Sequence, residues 1–341
     1  MDGRSEDQKM GLKIGIVGAT GEVGRMMMRV LEERNIPLNE LRLFASQRSA
    51  GKNLIFRERE IIVEELTEER MKEKYDYLLF SAGASISKHF APIAAKYGST
   101  VIDNSSAFRM EKDIFLVVPE VNAHVLDDFS GGIIANPNCS TIQMVVALAP
   151  IHRRWGIERI VVSTYQAVSG AGRKAIRELA EEVVVPGTAP DIFPKKILFN
   201  CIPHIGDFKL DLYTTEEHKM IDETHKIMGD NSMKINVTTV RVPVVYGHSE
   251  SIYAELREEA KLSEIKEELK KQKNCVVLDE PFDNIYPTPL EIAGKDEVFV
   301  GRLRKDLFDK KAVSMWVVAD NIRKGAATNA VQILEYLISS A

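Results

Sequence analysis

One cysteine of this 341-residue sequence has the setting of a nucleophile. Cys139 follows Asn136–Asn138 and opens the apolar stretch CSTIQMVVALAPIHRRW, so we predict that it begins a helix. The helix dipole and the free N–H groups of a first turn favour a thiolate, and the same N–H groups could hold an oxyanion after attack on a carbonyl. A buried, inert cysteine is the alternative, and we adopt it for Cys201 and Cys275.

An arginine and a histidine that stand close together in RVPVVYGHSE have complementary chemistry. The Arg241 guanidinium can clamp a carboxylate through two hydrogen bonds, whereas the His248 imidazole titrates near neutrality and can pass a proton. Because Pro243 and Gly247 lie between them, a strand followed by a turn could aim both side chains at one cleft. Taken alone, a histidine is more often structural or exposed, and Gln166 in TYQAVSG could simply stabilise a turn at a strand end.

A glycine-rich turn follows the first predicted strand, LKIGIV, and precedes a predicted helix. Backbone N–H groups and the helix dipole at such a turn can hold a pyrophosphate. Gly18, Gly21 and Gly24 give the spacing G-x-x-G-x-x-G, with Thr20 inside it, rather than the more specific G-x-G-x-x-G. The pattern favours a dinucleotide, and glycines that serve only a tight turn are the alternative.

The loop after the second predicted strand bears on which dinucleotide binds. An NAD site normally has a carboxylate there for the ribose hydroxyls, but this loop reads SQRSAGK. Arg48, Ser49 and Lys52 offer a guanidinium, a hydroxyl and an ammonium, as a 2′-phosphate would require. The loop favours NADP over NAD, and a solvated basic loop is the alternative.

The elements that must position these residues divide into two predicted domains. In the first third, short β-rich runs alternate with helical stretches, which predicts an α/β fold with a Rossmann-type, doubly wound parallel sheet. Beyond it, alternating strands and charged helices near 172–182, 215–228 and 263–272 predict a second α+β domain, whose mixed or antiparallel sheet has one helix-covered face. We expect the helix from Cys139 to be broken by Pro150 and Gly156, and 321–338 to form one long amphipathic helix. The predicted boundaries are 11–137 plus 322–341 for the first domain and 138–321 for the second.

Composition excludes several classes of function. The net charge of −5, with 45% hydrophobic and 28% charged residues, is typical of a globular protein and unlike that of a nucleic-acid-binding polycation. There is no apolar run of roughly 18 residues and no secretory h-region, and three dispersed cysteines favour a reducing compartment, the cytoplasm. The polar residues 1–10 are left out of the predicted fold as an extension or cloning remnant. His218, His225, Cys201 and His204 lack metal-site spacing, so we predict no metal.

Nine motifs in order through nearly the whole chain resemble those of the aspartate-β-semialdehyde dehydrogenase family. They are GATGEVG, SQRSAGK, SSAFRM, VVPEVN, NPNCST, TYQAVSGAG, TEEHKM, RVPVVYGHSE and DNIRKGAA. The resemblance implies an NADP-binding Rossmann domain, a catalytic and dimerisation domain, and a homodimer. It also implies the reductive dephosphorylation of L-4-aspartyl phosphate to L-aspartate 4-semialdehyde by NADPH, a reversible reaction of lysine, methionine and threonine biosynthesis.

The resemblance implies a role for each matching residue. Cys139 would form an acyl-enzyme thioester, His248 would be the general acid/base, and Gln166 would orient substrate or thiol. The implied substrate-binding residues are Asn138, Gln166, Arg241 for the α-carboxylate, Glu216 for the amino group, and Arg109 and Lys219 for phosphate. The implied cofactor-binding residues are Gly18, Thr20, Gly21, Glu22, Val23, Arg48, Ser49, Ser169, Gly170 and Asn321. Without the resemblance, TTEEHKM would be an ordinary charged helix with a solvated face.

Three other functions stay open at this point. N-acetyl-γ-glutamyl-phosphate reductase shares the thioester chemistry, but its substrate has an acylated nitrogen, whereas Glu216 suits a free ammonium. A malonyl-CoA reductase would turn over an acyl-CoA. A non-catalytic NADP-binding sensor would show a degraded cysteine, glutamine or histidine position, and all three positions are intact here.

Overall fold

The computed structural model describes residues 11–185 and 187–340, so the prediction for residues 1–10 lies outside the described residues, as does Ala341. Within these ranges, eight strands form the first sheet: β1 Leu12–Val17, β2 Leu38–Ala45, β3 Asn53–Phe56, β4 Arg59–Glu65, β5 Tyr77–Phe80, β6 Thr100–Asp103, β7 Phe115–Leu116 and β8 Ile133–Ala135. Their order is β3-β4-β2-β1-β5-β6-β8-β7, and every neighbouring pair is parallel except the β3–β4 hairpin. The predicted parallel sheet is confirmed, whereas the β3–β4 hairpin was missed.

Helices cover both faces of this sheet and one face of the second. In chain order they are α1 Glu22–Glu33, α2 Glu68–Lys72, α3 Ala84–Lys96, α4 Pro119–Asn122, α5 Cys139–Trp155, α6 Arg173–Val184, α7 Thr215–Met228, α8 Leu262–Lys271, α9 Pro289–Ile292 and α10 Thr328–Ser340. Alternate residues of β1 point to opposite faces, so Ile16 packs in the core with α1 and α10 while Val17 packs in the core with α2 and α3. The first domain is therefore doubly wound, as predicted.

The second sheet is mixed and has one helix-covered face. Its strands are β9 Ile157–Gln166, β10 Lys234–Arg241, β11 His248–Leu256, β12 Cys275–Val277, β13 Val298–Lys305 and β14 Ala312–Ala319, in the order β10-β9-β11-β14-β13-β12. Inward residues such as Val162 and Ile252 pack with α5, α7 and α8 in the largest core cluster. The opposite face leaves Val161 and Tyr165 exposed. This α+β arrangement confirms the predicted fold class, and the exact domain boundaries stay a prediction.

The prediction that Pro150 breaks the cysteine helix is wrong. Helix α5 runs without interruption from Cys139 to Trp155 and ends only at Gly156, whose φ is +65°. Proline removes one backbone donor and costs roughly 3 kcal/mol inside a helix. Because most residues of α5 are buried between the sheet and α7, packing outweighs that local penalty.

The prediction of a single helix over 321–338 is also wrong for the first residues of that range. Residues Arg323–Ala327 form a turn of π-helix, and α10 begins at Thr328. π-helical turns inside helices are frequent at functional sites. Here the π-turn lies at the edge of the cleft described next.

Candidate active site

A cleft of about 520 Å³ opens where the carboxyl ends of the first sheet's strands meet the second domain. Ligands of open α/β sheets bind at this edge. The structure brings together thirteen of the predicted site residues on its walls: Gly21, Glu22, Val23, Arg109, Asn138, Cys139, Gln166, Ser169, Gly170, Glu216, Lys219, Arg241 and Asn321. The predicted residues that do not line it are Gly18, Thr20, Arg48, Ser49 and His248.

Cys139 is the first residue of α5, as the sequence predicts. The Asn138 side chain caps the helix, and its Oδ1 accepts hydrogen bonds from the N–H groups of Ser140 at 3.0 Å and Thr141 at 3.3 Å. The half-buried cysteine packs against the π-turn, because a Cβ atom built on Gly325 would lie 2.8 Å from the Cys139 Cβ. Only glycine at position 325 allows the π-turn to approach the cysteine so closely.

The surroundings of Cys139 oppose the predicted thiolate. Burial raises the pKa of the Cys139 thiol to about 12, and the Glu216 carboxylate adds to that increase. Arg241, Arg109 and the N–H group of Ser140 act in the opposite direction but do not outweigh burial. A helix N-terminus stabilises an anion by up to roughly 2 kcal/mol, which is too little to offset loss of solvent around the sulfur.

This raised pKa predicts how Cys139 reacts with iodoacetamide. Since the thiolate is the reactive form, the alkylation rate should rise about tenfold per pH unit from pH 7 to pH 10, without a plateau. Quantifying the Cys139 peptide by mass spectrometry separates this reaction from that of Cys201. The variant Glu216→Gln should react faster at pH 8, because it removes a charge that raises the pKa. A plateau below pH 9 in the unmodified chain would contradict the prediction.

An acidic and a basic side chain of α7 face the cysteine turn. Glu216 and Lys219 share one helix face, as predicted, and their Oε2 and Nζ atoms are 3.1 Å apart. The other oxygen of Glu216 accepts a hydrogen bond from Asn138 Nδ2 at 2.8 Å. Burial acts to raise the pKa of Glu216, but Lys219 and Asn138 hold that pKa below its usual value. Glu216 therefore stays charged while it is hydrogen-bonded to Asn138, the residue that precedes Cys139.

Arg109 is held in the cleft wall by three acceptors. Its Nε donates to the Asn136 carbonyl at 2.9 Å, its Nη2 to the Asn104 carbonyl at 3.0 Å, and its Nη1 to Glu223 Oε1 at 2.9 Å. The remaining guanidinium N–H groups are left for an anion. Sequence reasoning missed Glu223, although one signal could have found it: Glu216, Lys219 and Glu223 recur at helical spacing along one face of α7.

Arg241 and His248 both lie next to Gly170, but only Arg241 lines the cleft. Arg241 ends β10, and its Nη1 donates to the Ala167 carbonyl at 2.6 Å. His248 begins β11 and lies fully buried behind Gly170, where an added Cβ would be 3.3 Å from His248 Nε2 and 2.9 Å from Arg241 Nη1. The expectation that both side chains could be aimed at one cleft is therefore corrected for His248, which lies behind the cleft-lining Gly170.

The protonation of His248 follows from its contacts. Its Nδ1 accepts a hydrogen bond from the Ala167 N–H at 3.0 Å, so the neutral ring carries its proton on Nε2. Burial, reinforced by the charge of Arg241, lowers the pKa of His248 well below its ordinary value. Nε2 is buried and has no hydrogen-bond partner among the described residues. The ring therefore carries an unused donor close to Gly170, which lines the cleft.

The glycine turn leaves the start of α1 open. Gly18 has a φ of +87°, and a Cβ there would lie 2.5 Å from the Ser81 carbonyl oxygen. A Cβ on Gly24 would lie 2.3 Å from the Gly18 carbonyl oxygen, so both positions need glycine. Gly21 caps α1 without a side chain, which leaves the first-turn N–H groups available to a diphosphate. Arg48 and Ser49 lie in the 3₁₀ turn after β2, with Arg48 exposed.

Two family profiles match most of the sequence. One, described as semialdehyde dehydrogenase, NAD binding domain, matches residues 13–129. The other, described as semialdehyde dehydrogenase, dimerisation domain, matches residues 148–324. The aspartate-semialdehyde dehydrogenase of Aquifex aeolicus is 56% identical over 335 residues, which cover 96% of this chain and 98% of that one. The enzyme of the same name from Bacillus subtilis is 47% identical over 339 residues, which cover 96% and 97% of the two chains.

The chain belongs to the aspartate-semialdehyde dehydrogenase family. It is accordingly an oxidoreductase. Among solved structures, aspartate semialdehyde dehydrogenase II of Vibrio cholerae in complex with ASA superposes with a TM-score of 0.93 at 46% identity, covering 97% of this chain and 99% of that one. The Candida albicans aspartate semialdehyde dehydrogenase with NADP gives a TM-score of 0.77 at 26% identity, covering 97% and 99%. NADP as the coenzyme of this family member is consistent with the NAD binding domain that it contains and with the NADP complex of that neighbour.

Other features of this family member concern its cysteines, histidines and helices. Cys275 is buried as predicted, but Cys201 is exposed, so the expectation of a buried Cys201 is wrong.

Within 11–185 and 187–340, no three His, Cys, Asp or Glu side chains form a group that could hold a metal ion. His218 contacts Asp211, and His225 contacts the Met233 carbonyl. None of the described helices has the length and apolar character needed to cross a membrane.

Proposed function

We propose that the chain reduces L-4-aspartyl phosphate to L-aspartate 4-semialdehyde with NADPH, through a thioester on Cys139. The observation that carries the proposal is that a thiol, three cations and the Glu216 carboxylate line a single cleft; the thiol is that of Cys139, and the cations are Arg109, Lys219 and Arg241. These charges complement a substrate with a phosphate, an α-carboxylate and an ammonium group. A cleft for an acyl-CoA would not need the carboxylate.

Each charged group has one place in this arrangement. Arg241 would clamp the α-carboxylate, Glu216 would bind the ammonium, and Arg109 with Lys219 would hold the phosphate. This orientation brings the acyl carbon to Cys139 and the leaving phosphate to the cationic wall. A substrate with an acylated nitrogen, as in N-acetyl-γ-glutamyl phosphate, would leave Glu216 charged, buried and without that partner.

Binding of the substrate would itself help to ionise the thiol. The Glu216 carboxylate is one of the causes that raise the pKa of Cys139. An ammonium bound to Glu216 would compensate that charge, so the thiolate becomes less costly when the substrate is in place. The thiol loses its proton, which the departing phosphate takes up. Sulfur attacks the acyl carbon, the C–O bond to phosphate breaks, and the protonated phosphate departs towards Arg109 and Lys219.

The thioester carbonyl oxygen would face His248 Nε2–H past Gly170. In the tautomer held by the Ala167 N–H, this nitrogen is a donor, so it would stabilise negative charge that develops on that oxygen. Ser169 and Asn321, whose Oγ and Nδ2 atoms are 3.0 Å apart, would form the adjoining coenzyme wall. NADPH, when bound, supplies the hydride that reduces the thioester. A general-base role of His248 in the reverse direction would need the other tautomer.

The test runs the reaction backwards with purified protein, L-aspartate semialdehyde, NADP and inorganic phosphate. We expect the absorbance of the reduced nicotinamide to rise only when all three are present. N-acetylglutamate semialdehyde serves as an alternative substrate in the same assay, and an acyl-CoA is tested in the opposite direction with NADPH, where the absorbance should fall. Faster turnover of either one would contradict the proposal, and NADP binding without any turnover would favour the sensor alternative.

The coenzyme preference gives a separate prediction. Arg48→Ala should raise the Kd for NADPH about tenfold or more, because it removes a charged donor from the proposed 2′-phosphate site, while the Kd for NADH changes little. Fluorescence titration of both coenzymes measures this. Arg59→Ala, which removes another exposed arginine of the first domain, at the start of β4, is the matched control. An equal increase in the Kd for NADPH and for NADH would show that the loop does not bind the 2′-phosphate.

We also propose a cytoplasmic homodimer formed through the second domain. The open face of the second sheet supports this assembly, since it exposes Val161 and Tyr165 beside Trp316. Contiguous apolar and aromatic residues on a sheet face are typical of an interaction surface. Three free thiols are consistent with a reducing compartment. Light scattering at micromolar protein concentration would test the dimer.

A further inference from the structure

Glu223 on α7 is a buried carboxylate that contacts both the anion-binding arginine and the nucleophile turn. Its Oε1 accepts a hydrogen bond from Arg109 Nη1 at 2.9 Å, and its Oε2 accepts one from the backbone N–H of Asn138 at 2.6 Å. The side chain is 1% exposed and does not line the cleft. One rigid group therefore connects Arg109 to the residue next to Cys139.

The contacts of Glu223 require the ionised form. Both oxygens face donors, so a protonated carboxyl would direct its O–H at another N–H group. Burial raises the pKa of Glu223, while the Arg109 guanidinium and the Asn138 N–H oppose that increase. The Glu223 carboxylate and the Arg109 guanidinium thus form a buried ion pair. The second oxygen of Glu223 accepts the hydrogen bond from the backbone N–H of Asn138.

Of the three acceptors that hold the Arg109 guanidinium, two are backbone carbonyls and Glu223 supplies the charged one. The two hydrogen bonds of Glu223 restrict the rotamer of Arg109 through one oxygen and the backbone position of Asn138 through the other. A change in either would alter the separation between the sulfur and the phosphate-binding N–H groups. Misplacement by about 1 Å can cost roughly 100-fold in rate.

We propose that Glu223 is a positioning residue that sets Arg109 and Cys139 at the separation required for an acyl phosphate. The inference rests on the proposed function, because it assumes that Arg109 binds the phosphate. Glu223 touches neither substrate nor coenzyme and acts through Arg109 and Asn138. Its loss should therefore weaken the use of phosphate more than the use of the other substrates.

A purely structural role for Glu223 is the alternative, and the same helix offers a matched control. Glu217 is also buried, and its two oxygens accept hydrogen bonds from the N–H groups of Thr214 at 2.7 Å and Thr239 at 3.0 Å. Its side chain does not line the cleft, and neither of these hydrogen bonds involves a residue assigned to substrate. Glu217→Gln therefore removes a comparable carboxylate from α7 without disturbing the link between Arg109 and Asn138.

The experiment compares Glu223→Gln, Glu223→Asp and Glu217→Gln in the phosphate-dependent oxidation of L-aspartate semialdehyde. In Glu223→Gln, an amide N–H group must face one of the two donors, so we expect the KM for inorganic phosphate to rise about tenfold or more. The KM for NADP should stay within about twofold, which is ordinary variation for an untouched site. Glu223→Asp keeps the charge and should recover part of the loss, and Glu217→Gln should keep the phosphate KM of the unmodified chain. Thermal melting of each variant records its stability.

The outcomes separate the two proposals. If the unmodified chain does not need phosphate, the proposed function itself fails. If it does, and Glu223→Gln changes the phosphate KM no more than Glu217→Gln does, the positioning role is overturned. Should Glu223→Gln not fold, Glu223→Asp decides: a raised phosphate KM with an unchanged NADP KM supports the role, and an unchanged phosphate KM rejects it.

Discussion

Cys139→Ser is expected to lower kcat by at least about 10⁴-fold, because removing a covalent nucleophile eliminates the thioester route. Serine keeps the size of the side chain at the start of α5, where Gly325 leaves little room, so the fold and the coenzyme site should be retained. The Kd for NADP should therefore stay within about twofold of its original value. Turnover measured in the semialdehyde direction and coenzyme titration by fluorescence check the two parts of the prediction.

The control for this variant is Cys201→Ser. Cys201 is exposed and does not line the cleft, so its replacement should leave kcat unchanged. Trapping the acyl-enzyme by acid quench and mass spectrometry should find an adduct on Cys139 in the control variant and none in Cys139→Ser. A normal rate in Cys139→Ser would remove the thioester mechanism altogether.

Lys324→Met is expected to lower the free energy of unfolding by about 3–5 kcal/mol, because it leaves a charge buried without its partner. The Lys324 side chain is 0% exposed, and its Nζ lies 2.7 Å from Glu120 Oε2, itself on a side chain that is 1% exposed. Burial acts to raise the pKa of Glu120, but the Lys324 ammonium and the Asn274 amide hold that pKa below its usual value. The midpoint of urea unfolding measures the loss.

Two further variants test the cause of this loss. Lys270→Ala breaks an exposed pair with Glu267 and should cost less than about 0.5 kcal/mol. Combining Lys324→Met with Glu120→Gln removes both charges and should recover part of the stability. If Lys324→Met were no more harmful than Lys270→Ala, the buried pair would not stabilise the structure. Since Lys324 precedes Gly325, which packs on Cys139, a loss of activity should accompany the loss of stability.

The elements that sequence reasoning located correctly are those with strong local signals. The glycine turn between β1 and α1 follows from the backbone demands of Gly18 and Gly24. Helix α7 spans the predicted 215–228, where Thr214 and Glu217 form a capping box. Thirteen predicted residues line one cleft, because motifs at the carboxyl ends of parallel strands converge at one edge of the sheet.

The errors arise where distant residues outweigh a local rule. Pro150 should interrupt a helix, but the packing of α5 between a sheet and α7 keeps the helix intact. The hairpin of β3 and β4 lies in a charged stretch whose pairing depends on β2. The π-turn at Arg323–Ala327 is held by ion pairs of Arg323 with Glu33 and Asp296, which stand far away in the chain.

The amino-acid sequence by itself determined the two-domain α/β architecture, the start of the cysteine helix and the types of charged groups in the site, because these depend on periodicity, caps and turns within a few residues. Only the tertiary structure decided the raised pKa of the Cys139 thiol, the donor tautomer of His248 behind Gly170, and the bridge from Arg109 to Asn138 through Glu223. The physical reason is that a pKa and a buried hydrogen bond depend on solvent exclusion and on charges brought near by folding. No spacing along the chain encodes either one.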